Sequence, residues 1–68
     1  MEKYYLRSHP QPNGDYEVHR EGCSYLPKAE NRIYLGTYSN CKEALAAAKV
    51  YHNQVDGCKY CCPECHSS

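Results

Sequence analysis

The six cysteines and four histidines of this chain are its candidates for metal binding and redox chemistry. Four of its six cysteines lie within eight positions of the segment "DGCKYCCPECHSS". A tetrahedral zinc ion needs four soft or borderline ligands, and the Cys58-x2-Cys61 spacing supplies two thiolates from one tight turn. His19-x3-Cys23 is a second pair, which supplies the other two ligands if the intervening "REG" folds back with Gly22 at the turn. We therefore predict a Zn²⁺ site on His19, Cys23, Cys58 and Cys61. The alternative for the first pair is a strand-edge histidine and an ordinary buried thiol.

The remaining cysteines leave several roles open. Cys61 and Cys62 are adjacent and cannot easily both face one ion, so Cys62 either points away or replaces Cys61 as a ligand. Cys62 and Cys65 also have the spacing of thiol oxidoreductases, but there the motif opens a helix that stabilises the thiolate, and only three residues follow Cys65. A disulfide between Cys62 and Cys65, or between Cys41 and one of them, is an alternative. So is a second, weaker metal position that uses His66.

The charge and hydropathy patterns argue against several classes of partner. Eight basic and eight acidic side chains cancel, and the basic ones are spread along the chain, so no electrostatic footprint for nucleic acid or anionic lipid is visible. No apolar run is long enough to span a bilayer, and the start "MEKYYLRSHP" lacks the pattern of a signal peptide. We therefore expect a cytoplasmic protein whose thiols are mostly reduced or bound to metal, because disulfides are rare in that compartment.

Three strands are expected to position the histidine and cysteine pairs. "KYYLRSH" is short and aromatic, "PQPNGD" marks a turn and "DYEVHR" alternates, which together predict a hairpin of residues 3–8 and 15–20. "EGCSYLPKAEN" is typical of a loop. "RIYLGTY" is rich in β-branched and aromatic residues and predicts a third strand, in which Gly36 marks a bulge or a close approach of another backbone. We expect frayed ends at residues 1–3 and 66–68.

One helix is expected between the third strand and the last cysteines. Asn40 and Glu43 have the spacing at which an N-cap side chain and a returning carboxylate satisfy two free backbone donors. "ALAAAKVYHNQV" follows and consists largely of good helix formers, and Gly57 is placed to end the helix in a left-handed conformation. The residues that recur at helical spacing on one face are Cys41, Leu45, Ala48, His52 and Val55. The alanines permit a close approach of this helix to a sheet.

The runs "VHREGCSYL", "YLGTYSNCKEALAAAK" and "GCKYC" together resemble the zinc domain at the N-terminus of Ada-type DNA phosphotriester methyl acceptors and its stand-alone relatives. In that family a Cys-x3-Cys or His-x3-Cys pair precedes a strand and an Ala-rich helix, and a Cys-x2-Cys pair follows the helix. The resemblance covers residues 18–61 and implies zinc on His19, Cys23, Cys58 and Cys61. In the methyl-accepting members the first ligand of the first pair is the cysteine that takes the methyl group. Because His19 holds that position here, the resemblance does not imply the repair chemistry, and it leaves DNA as a partner by resemblance only.

The sequence as a whole predicts one α+β mini-domain of residues 1–68. It would contain a small antiparallel sheet of about three strands, one helix across the sheet, and a structural zinc ion that ties the end of the second strand to the segment after the helix. Four protein ligands leave no open position for a reacting water, so we expect a non-catalytic, monomeric binding module. The alternatives are a disulfide-stapled mini-domain, since six cysteines permit three bridges, and a thiol redox protein that uses Cys62 and Cys65.

Overall fold

A four-stranded sheet with one helix packed on it forms the framework of the domain. The computed structural model describes residues 1–67. The elements in chain order are β1 (Glu2–Arg7), β2 (Tyr16–Arg20), β3 (Arg32–Tyr38), α1 (Cys41–Ala48) and β4 (Val55–Gly57). Short 3-10 turns lie at Ala29–Asn31 and Pro63–Cys65. The fold is therefore of the α+β class that the sequence predicts.

The sheet has one strand more than predicted, and it is mixed rather than antiparallel. Its strand order is β3-β1-β2-β4, with β1 antiparallel to both β2 and β3. The predicted hairpin and third strand are thus confirmed. The additional strand β4 pairs parallel to β2. Its three residues "VDG" are too few and too polar to carry a strand pattern of their own, and only the pairing with β2 makes them a strand.

The start of α1 follows the predicted capping residues. The side-chain oxygen of Asn40 accepts a hydrogen bond from the backbone N–H of Glu43 at 3.0 Å. The Glu43 carboxylate reaches back in turn and accepts from the backbone N–H of Ser39 at 3.1 Å, one residue before the N-cap. Two backbone donors that lack partners at a helix start are satisfied in this way.

The end of α1 comes earlier than predicted. The helix ends at Ala48, so the prediction that it continues through Val55 to a cap at Gly57 is wrong. The residues after Ala48 include β-branched and aromatic side chains, which lose rotamer freedom in a helix. His52 does not lie on a helical face but stacks flat on Tyr16 of β2, with 3.6 Å between the ring centroids. Helical and turn hydrogen bonds continue as far as the N–H of His52, which donates to the carbonyl of Ala48 at 3.2 Å, and from Val55 the chain pairs with β2 instead.

The core lies between α1 and one face of the sheet. Because side chains alternate across a strand, Tyr4 and Leu6 of β1 point to the same face, and Val18 of β2 lies opposite Leu6. All three are buried. The buried residues of α1 are Cys41, Ala44 and Ala48. Leu45, expected on the same helical face, is only half-buried at the edge of this core. Small alanine side chains let the helix approach the sheet closely.

Gly36 marks a β-bulge, as the sequence predicts. The register between β1 and β3 shifts at this point, because Tyr4 is opposite Gly36 whereas Tyr5 is opposite Tyr34. Leu35 is therefore the extra residue on β3. Gly36 has a φ of 127°, a backbone conformation that residues with a side chain rarely adopt.

The chain ends are more ordered than the sequence predicts. Residues 2 and 3 belong to β1 and pair with the end of β3. Near the other end, the buried carboxylate of Asp56 accepts hydrogen bonds from the backbone N–H and the hydroxyl of Ser67 at 2.9 and 3.0 Å. His66 Nδ1 lies 3.1 Å from the other oxygen of Asp56. The predicted fraying is thus wrong for residues 2–3 and 66–67, and position 68 lies outside the described residues.

Candidate metal centre

The structure brings together the two residue pairs that the sequence singles out as zinc ligands. One ligand atom from each of His19, Cys23, Cys58 and Cys61 lies within 4.8 Å of the others. His19 is in β2, Cys23 is in the turn that follows it, and Cys58 and Cys61 come directly after β4. Among residues 1–67 this is the group of histidine, cysteine and carboxylate side chains that could hold a metal ion.

The parallel pairing of β2 with β4 is what joins the two halves of the centre. Val18 is opposite Gly57 in the register, and the backbone N–H of Cys58 continues the ladder by donating to the carbonyl of Val18 at 3.0 Å. Cys58 therefore lies beside His19, although the two are far apart in sequence. After Cys58 the chain turns at once, since the N–H of Cys62 donates to the Cys58 carbonyl at 2.8 Å. This turn is the tight knuckle that a Cys-x2-Cys pair requires.

The first pair is brought into place by a turn at the end of β2. The backbone N–H of Cys23 donates to the carbonyl of Arg20 at 3.1 Å, which folds the chain back toward the sheet. Gly22 takes a φ of 91° within this turn, as the sequence analysis expected of it. The Cys23 side chain consequently faces the His19 ring rather than the solvent beyond the strand.

Two of the distances between ligand atoms are close to those of a tetrahedral metal site. Cys23 Sγ lies 3.9 Å from Cys58 Sγ and 3.8 Å from His19 Nδ1. Zinc bonds of about 2.3 Å to sulfur and about 2.05 Å to nitrogen place tetrahedral ligands about 3.8 Å apart for two sulfurs and about 3.6 Å apart for sulfur and nitrogen. A disulfide would instead bring the two sulfurs to about 2.05 Å. Cys23 and Cys58 are thus spaced as ligands of one ion and not as a bonded pair.

Backbone donors already point at two of the cysteine sulfurs. The N–H of Arg20 donates to Cys61 Sγ at 3.3 Å, and the N–H of Tyr25 donates to Cys23 Sγ at 3.4 Å. Hydrogen bonds of this kind favour the thiolate form and orient the sulfur, which is how residues around a metal site fix its ligands. Arg20 is the last residue of β2, and Tyr25 lies in the loop that follows it.

Burial shifts the pKa values of His19 and Cys61 in opposite directions, which affects metal binding differently at the two residues. His19 is 1% exposed, and burial, assisted by the charge of Arg7, lowers the pKa of its ring to about 4. The imidazole is therefore neutral at pH 7 and has a lone pair for a metal. Burial raises the pKa of the Cys61 thiol, against the opposing effect of the Arg20 N–H. A cation must therefore displace the proton of Cys61 on binding.

Cys62 lies beside the centre without belonging to it. Its Sγ is 4.0 Å from Cys61 Sγ, and the side chain is fully buried in the core under α1. Burial raises the pKa of this thiol too. Of the two arrangements left open by the sequence, the structure thus has Cys61 in the cluster and Cys62 outside it.

The remaining two cysteines form a disulfide. Cys41, the first residue of α1, is bonded to Cys65, and the other four cysteines are free. This is one of the pairings that the sequence left open. It separates Cys65 from Cys62, so the Cys62-x2-Cys65 pair is not assembled as a redox dithiol. The second metal position proposed for His66 is not formed either, because His66 Nδ1 lies 3.0 Å from the carbonyl oxygen of Gly57 and beside Asp56.

An open cleft of about 310 Å³ lies on the outer side of the centre. Its lining residues are Arg20, Gly22, Cys23, Ser24, Tyr25, Tyr60 and Cys61. Tyr25 and Tyr60 stack on each other at 4.3 Å between ring centroids, although both rings are more than half exposed. No local pattern in the sequence indicates this pair, because it joins the loop after β2 to the Cys-x2-Cys turn.

Glu17 of β2 lies next to the centre, although its place in the sequence suggests no role there. Its carboxylate oxygen Oε1 lies 3.3 Å from His19 Nε2. The alternation of "DYEVHR" already places residues 17 and 19 on the same face of β2. That pattern is the signal from which the contact could have been predicted.

Comparison with known proteins assigns no family to this chain. No protein family model matches it, and no match was found among curated proteins or among solved structures. Within residues 1–67 no helix has the length and apolar character needed to cross a membrane. The proposal for function therefore rests on the geometry of the four ligand atoms and on the order of the sequence motifs.

Proposed function

We propose that this chain is a zinc-binding domain in which His19, Cys23, Cys58 and Cys61 hold one Zn²⁺ as a structural ion. The observation that carries the proposal is the spacing of the ligand atoms, 3.9 Å between two sulfurs and 3.8 Å between sulfur and nitrogen. These separations are close to the edges of a zinc tetrahedron. They are reached by residues up to 35 positions apart in the chain.

The chemistry of the ligand set favours zinc over other abundant ions. Three thiols and one imidazole are soft or borderline donors, whereas Ca²⁺ and Mg²⁺ prefer oxygen ligands. Three thiolates and one neutral imidazole around Zn²⁺ leave a formal charge of one negative unit. Backbone N–H groups directed at Cys23 and Cys61 reduce the cost of that charge in a partly buried site.

A structural role follows from the number of protein ligands and their burial. Four protein ligands complete a zinc tetrahedron, so no position is left for a reacting water or substrate. His19, Cys58 and Cys61 are buried, and Cys23 is partly so. The ion would tie the end of β2 to the segment after β4, where its binding free energy becomes folding free energy.

The order of elements supports a relationship to stand-alone relatives of the Ada-type zinc domain. The His-x3-Cys pair is followed by β3, by the Ala-rich helix α1 and then by the Cys-x2-Cys pair. Because a histidine stands at the position of the methyl-accepting cysteine, we propose a non-catalytic binding module and not a repair protein. DNA is a candidate partner through this resemblance alone, and the balanced, dispersed charge of the chain adds nothing to it.

Metal content and cobalt substitution test the zinc site directly. Protein purified with zinc present should carry one ion per chain by mass spectrometry under native conditions. Its Co²⁺ form should show the intense d–d bands of a tetrahedral ion and sulfur-to-cobalt charge transfer. Cys61→Ala should abolish stoichiometric binding.

Cys62→Ala is the matched control, because it removes an adjacent thiol that is also buried and lies 4.0 Å from Cys61 Sγ but outside the cluster. This variant should keep one ion per chain. Loss of metal in Cys62→Ala but not in Cys61→Ala would transfer the ligand role to Cys62. A folded wild-type protein that takes up no metal would overturn the proposed function.

A further inference from the structure

We infer that Glu17 is a positioning residue of this metal centre, whose carboxylate accepts the Nε2 proton of His19 and holds the ring with Nδ1 toward the ion. The inference rests on the proposed function, since it assigns a task that exists only when a metal is bound. It adds to the four ligands a fifth side chain that sets how well one of them binds.

In this structure, Glu17 and His19 are in close contact but do not form a hydrogen bond. Nε2 of His19 lies 3.3 Å from Oε1 of Glu17, a distance at which a hydrogen bond could form. The ring N–H is not aligned with the oxygen, however, and Nε2 is a buried nitrogen without a hydrogen-bond partner. His19 is 1% exposed, so water does not replace the missing acceptor. A buried polar nitrogen in this position needs an explanation.

Metal binding through Nδ1 supplies that explanation. Nδ1 is the ring nitrogen that faces Cys23 Sγ, at 3.8 Å. When this nitrogen donates its lone pair to an ion, the ring proton must lie on Nε2, and the ion makes that N–H a stronger donor. A carboxylate is the strongest acceptor that a protein can place beside it. Glu17 is therefore matched to the metal-bound tautomer of His19.

The surroundings of Glu17 hold its carboxylate in place. The side chain is 14% exposed and lies on the same face of β2 as His19. Burial and the charge of Asp56 raise the pKa of the Glu17 carboxyl, and the nearby Gln11 side chain and Arg7 charge oppose this rise. Glu17 is also opposite Asp56 in the pairing of β2 with β4. The carboxylate is thus fixed by the strand that carries His19 and by the segments packed around it.

Zinc affinity of Glu17 variants tests this role. Glu17→Ala should weaken zinc binding by roughly 10- to 100-fold, the usual effect of losing such a partner, as measured by competition with a chromogenic chelator. Glu17→Gln should lose only a few-fold, because its amide oxygen still accepts from Nε2–H. The matched control is Glu21→Ala, which removes an exposed carboxylate two residues before Cys23. This carboxylate accepts a hydrogen bond from the Tyr5 hydroxyl and forms no ion pair with His19. Its affinity should stay within about twofold of wild type.

The imidazole proton gives a readout that a general loss of stability would not produce. In ¹⁵N-resolved spectra of the zinc form, wild type and Glu17→Gln should show a slowly exchanging Nε2–H of His19. Glu17→Ala should lose this signal while the zinc-bound backbone spectrum remains that of the fold. Should Glu17→Ala fail to fold, Glu17→Gln and the wild-type imidazole spectrum decide the matter.

The outcomes separate this inference from the proposed function. If wild type and Glu17→Ala bind zinc equally well, or if the bound ring carries its proton on Nδ1, the role of Glu17 is overturned and the zinc site stands. If the wild-type protein binds no zinc, both are overturned.

Discussion

His19 illustrates how burial can prepare a side chain for a metal. In water a histidine is partly protonated near neutral pH and repels cations. In this fold burial, with a contribution from Arg7, lowers its pKa to about 4, so the ring is neutral over the physiological range. The thiols differ, because each must lose a proton to become a ligand. Metal binding at this centre is therefore coupled to proton release from cysteines and not from histidine.

Zinc binding at about pH 7.5 should release about three protons per ion. Three thiols become thiolates, whereas His19 has no proton to give. Replacing the histidine by a fourth thiol, His19→Cys, should raise the count to about four. Isothermal titration calorimetry in buffers of different ionisation enthalpy measures these numbers. The same count in both proteins would argue that position 19 is not a ligand.

The count at about pH 5.5 tests whether His19 is buried before the metal arrives. Unfolded histidine has a pKa near 6.5 and is mostly protonated at that pH, whereas the folded ring, with a pKa of about 4, stays neutral. On binding zinc, the disulfide-linked protein should therefore still release about three protons. A chain that is unfolded before it binds zinc should release close to four.

The same shift sets how His19 affects the metal-free fold in acid. Between about pH 6.5 and pH 4 the unfolded ring binds a proton that the folded ring does not, so the contribution of His19 to stability falls as the pH drops. A count near four for the disulfide-linked protein at about pH 5.5 would contradict burial of His19 in the metal-free state.

Strand β4 is short, yet it determines where the second pair of ligands lies. Its three residues bring Cys58 to the backbone of β2, and Gly57 lets the following turn pack directly against the strand. A β-carbon at Gly57 would lie 2.8 Å from the carbonyl oxygen of Cys62 and 2.8 Å from the β-carbon of Cys65. Neither of these neighbours is the flexible end of a side chain.

Gly57→Ala should therefore destabilise the zinc-loaded, disulfide-linked protein by about 1–3 kcal/mol, the cost of forcing atoms into a packed site. Urea denaturation followed by circular dichroism measures the loss. Gly22 provides the control, because a β-carbon there meets no atom within 4 Å and only its φ of 91° is unfavourable. Asparagine tolerates that conformation, so Gly22→Asn should be milder than Gly22→Ala, while Gly57→Asn should be worse than Gly57→Ala. Equal losses for all four variants would refute the packing argument.

The domain as a whole is small, and its thin core is supplemented by one disulfide and by the proposed zinc site. The zinc site would join β2 to the segment after β4, and the Cys41–Cys65 disulfide joins the start of α1 to the end of the same segment. The apolar core itself consists largely of small side chains and one tyrosine, apart from Leu6 and Val18. A domain of this length commonly depends on such crosslinks.

Removing the two crosslinks separately should show that each contributes to stability. A disulfide between residues 24 positions apart is worth roughly 3 kcal/mol in the chain-entropy model. Chelation should therefore lower the melting temperature of the oxidised protein without fully unfolding it, and chelation together with a reductant should unfold it. Thermal denaturation followed by circular dichroism compares the four states. A protein that still unfolds cooperatively after both the zinc ion and the disulfide have been removed would contradict this expectation.

Intact mass and thiol titration count the disulfides and the free thiols of the chain. Denatured, metal-free protein that has not been reduced should be two hydrogens lighter than the reduced chain and should present four free thiols. Three bridges and no free thiols would instead favour the disulfide-stapled alternative.

Local patterns in the sequence were sufficient for much of this fold. The alternation in β2, the β-branched residues of β3 and the Asn40 cap act over a few neighbouring residues, so their structures could be predicted. The two ligand pairs were visible for the same reason, because each lies within one turn. The helix was predicted too long because His52 and Val55 continue the helical spacing of Cys41 and Ala48, and the β2 strand that pairs with residues 55–57 lies elsewhere in the chain.

The side chains able to bind a metal, and most of the elements that carry them, could therefore be predicted from local patterns in the sequence. Tertiary structure alone decided that β4 pairs parallel to β2, that Cys41 bonds Cys65, and that Glu17 faces a buried nitrogen of His19. Each of these depends on how strands and turns pack in space. The "DGCKYCCPECHSS" segment is consequently divided among a strand end, half of a candidate zinc site, a buried thiol and a disulfide, a division that its spacing alone could not fix.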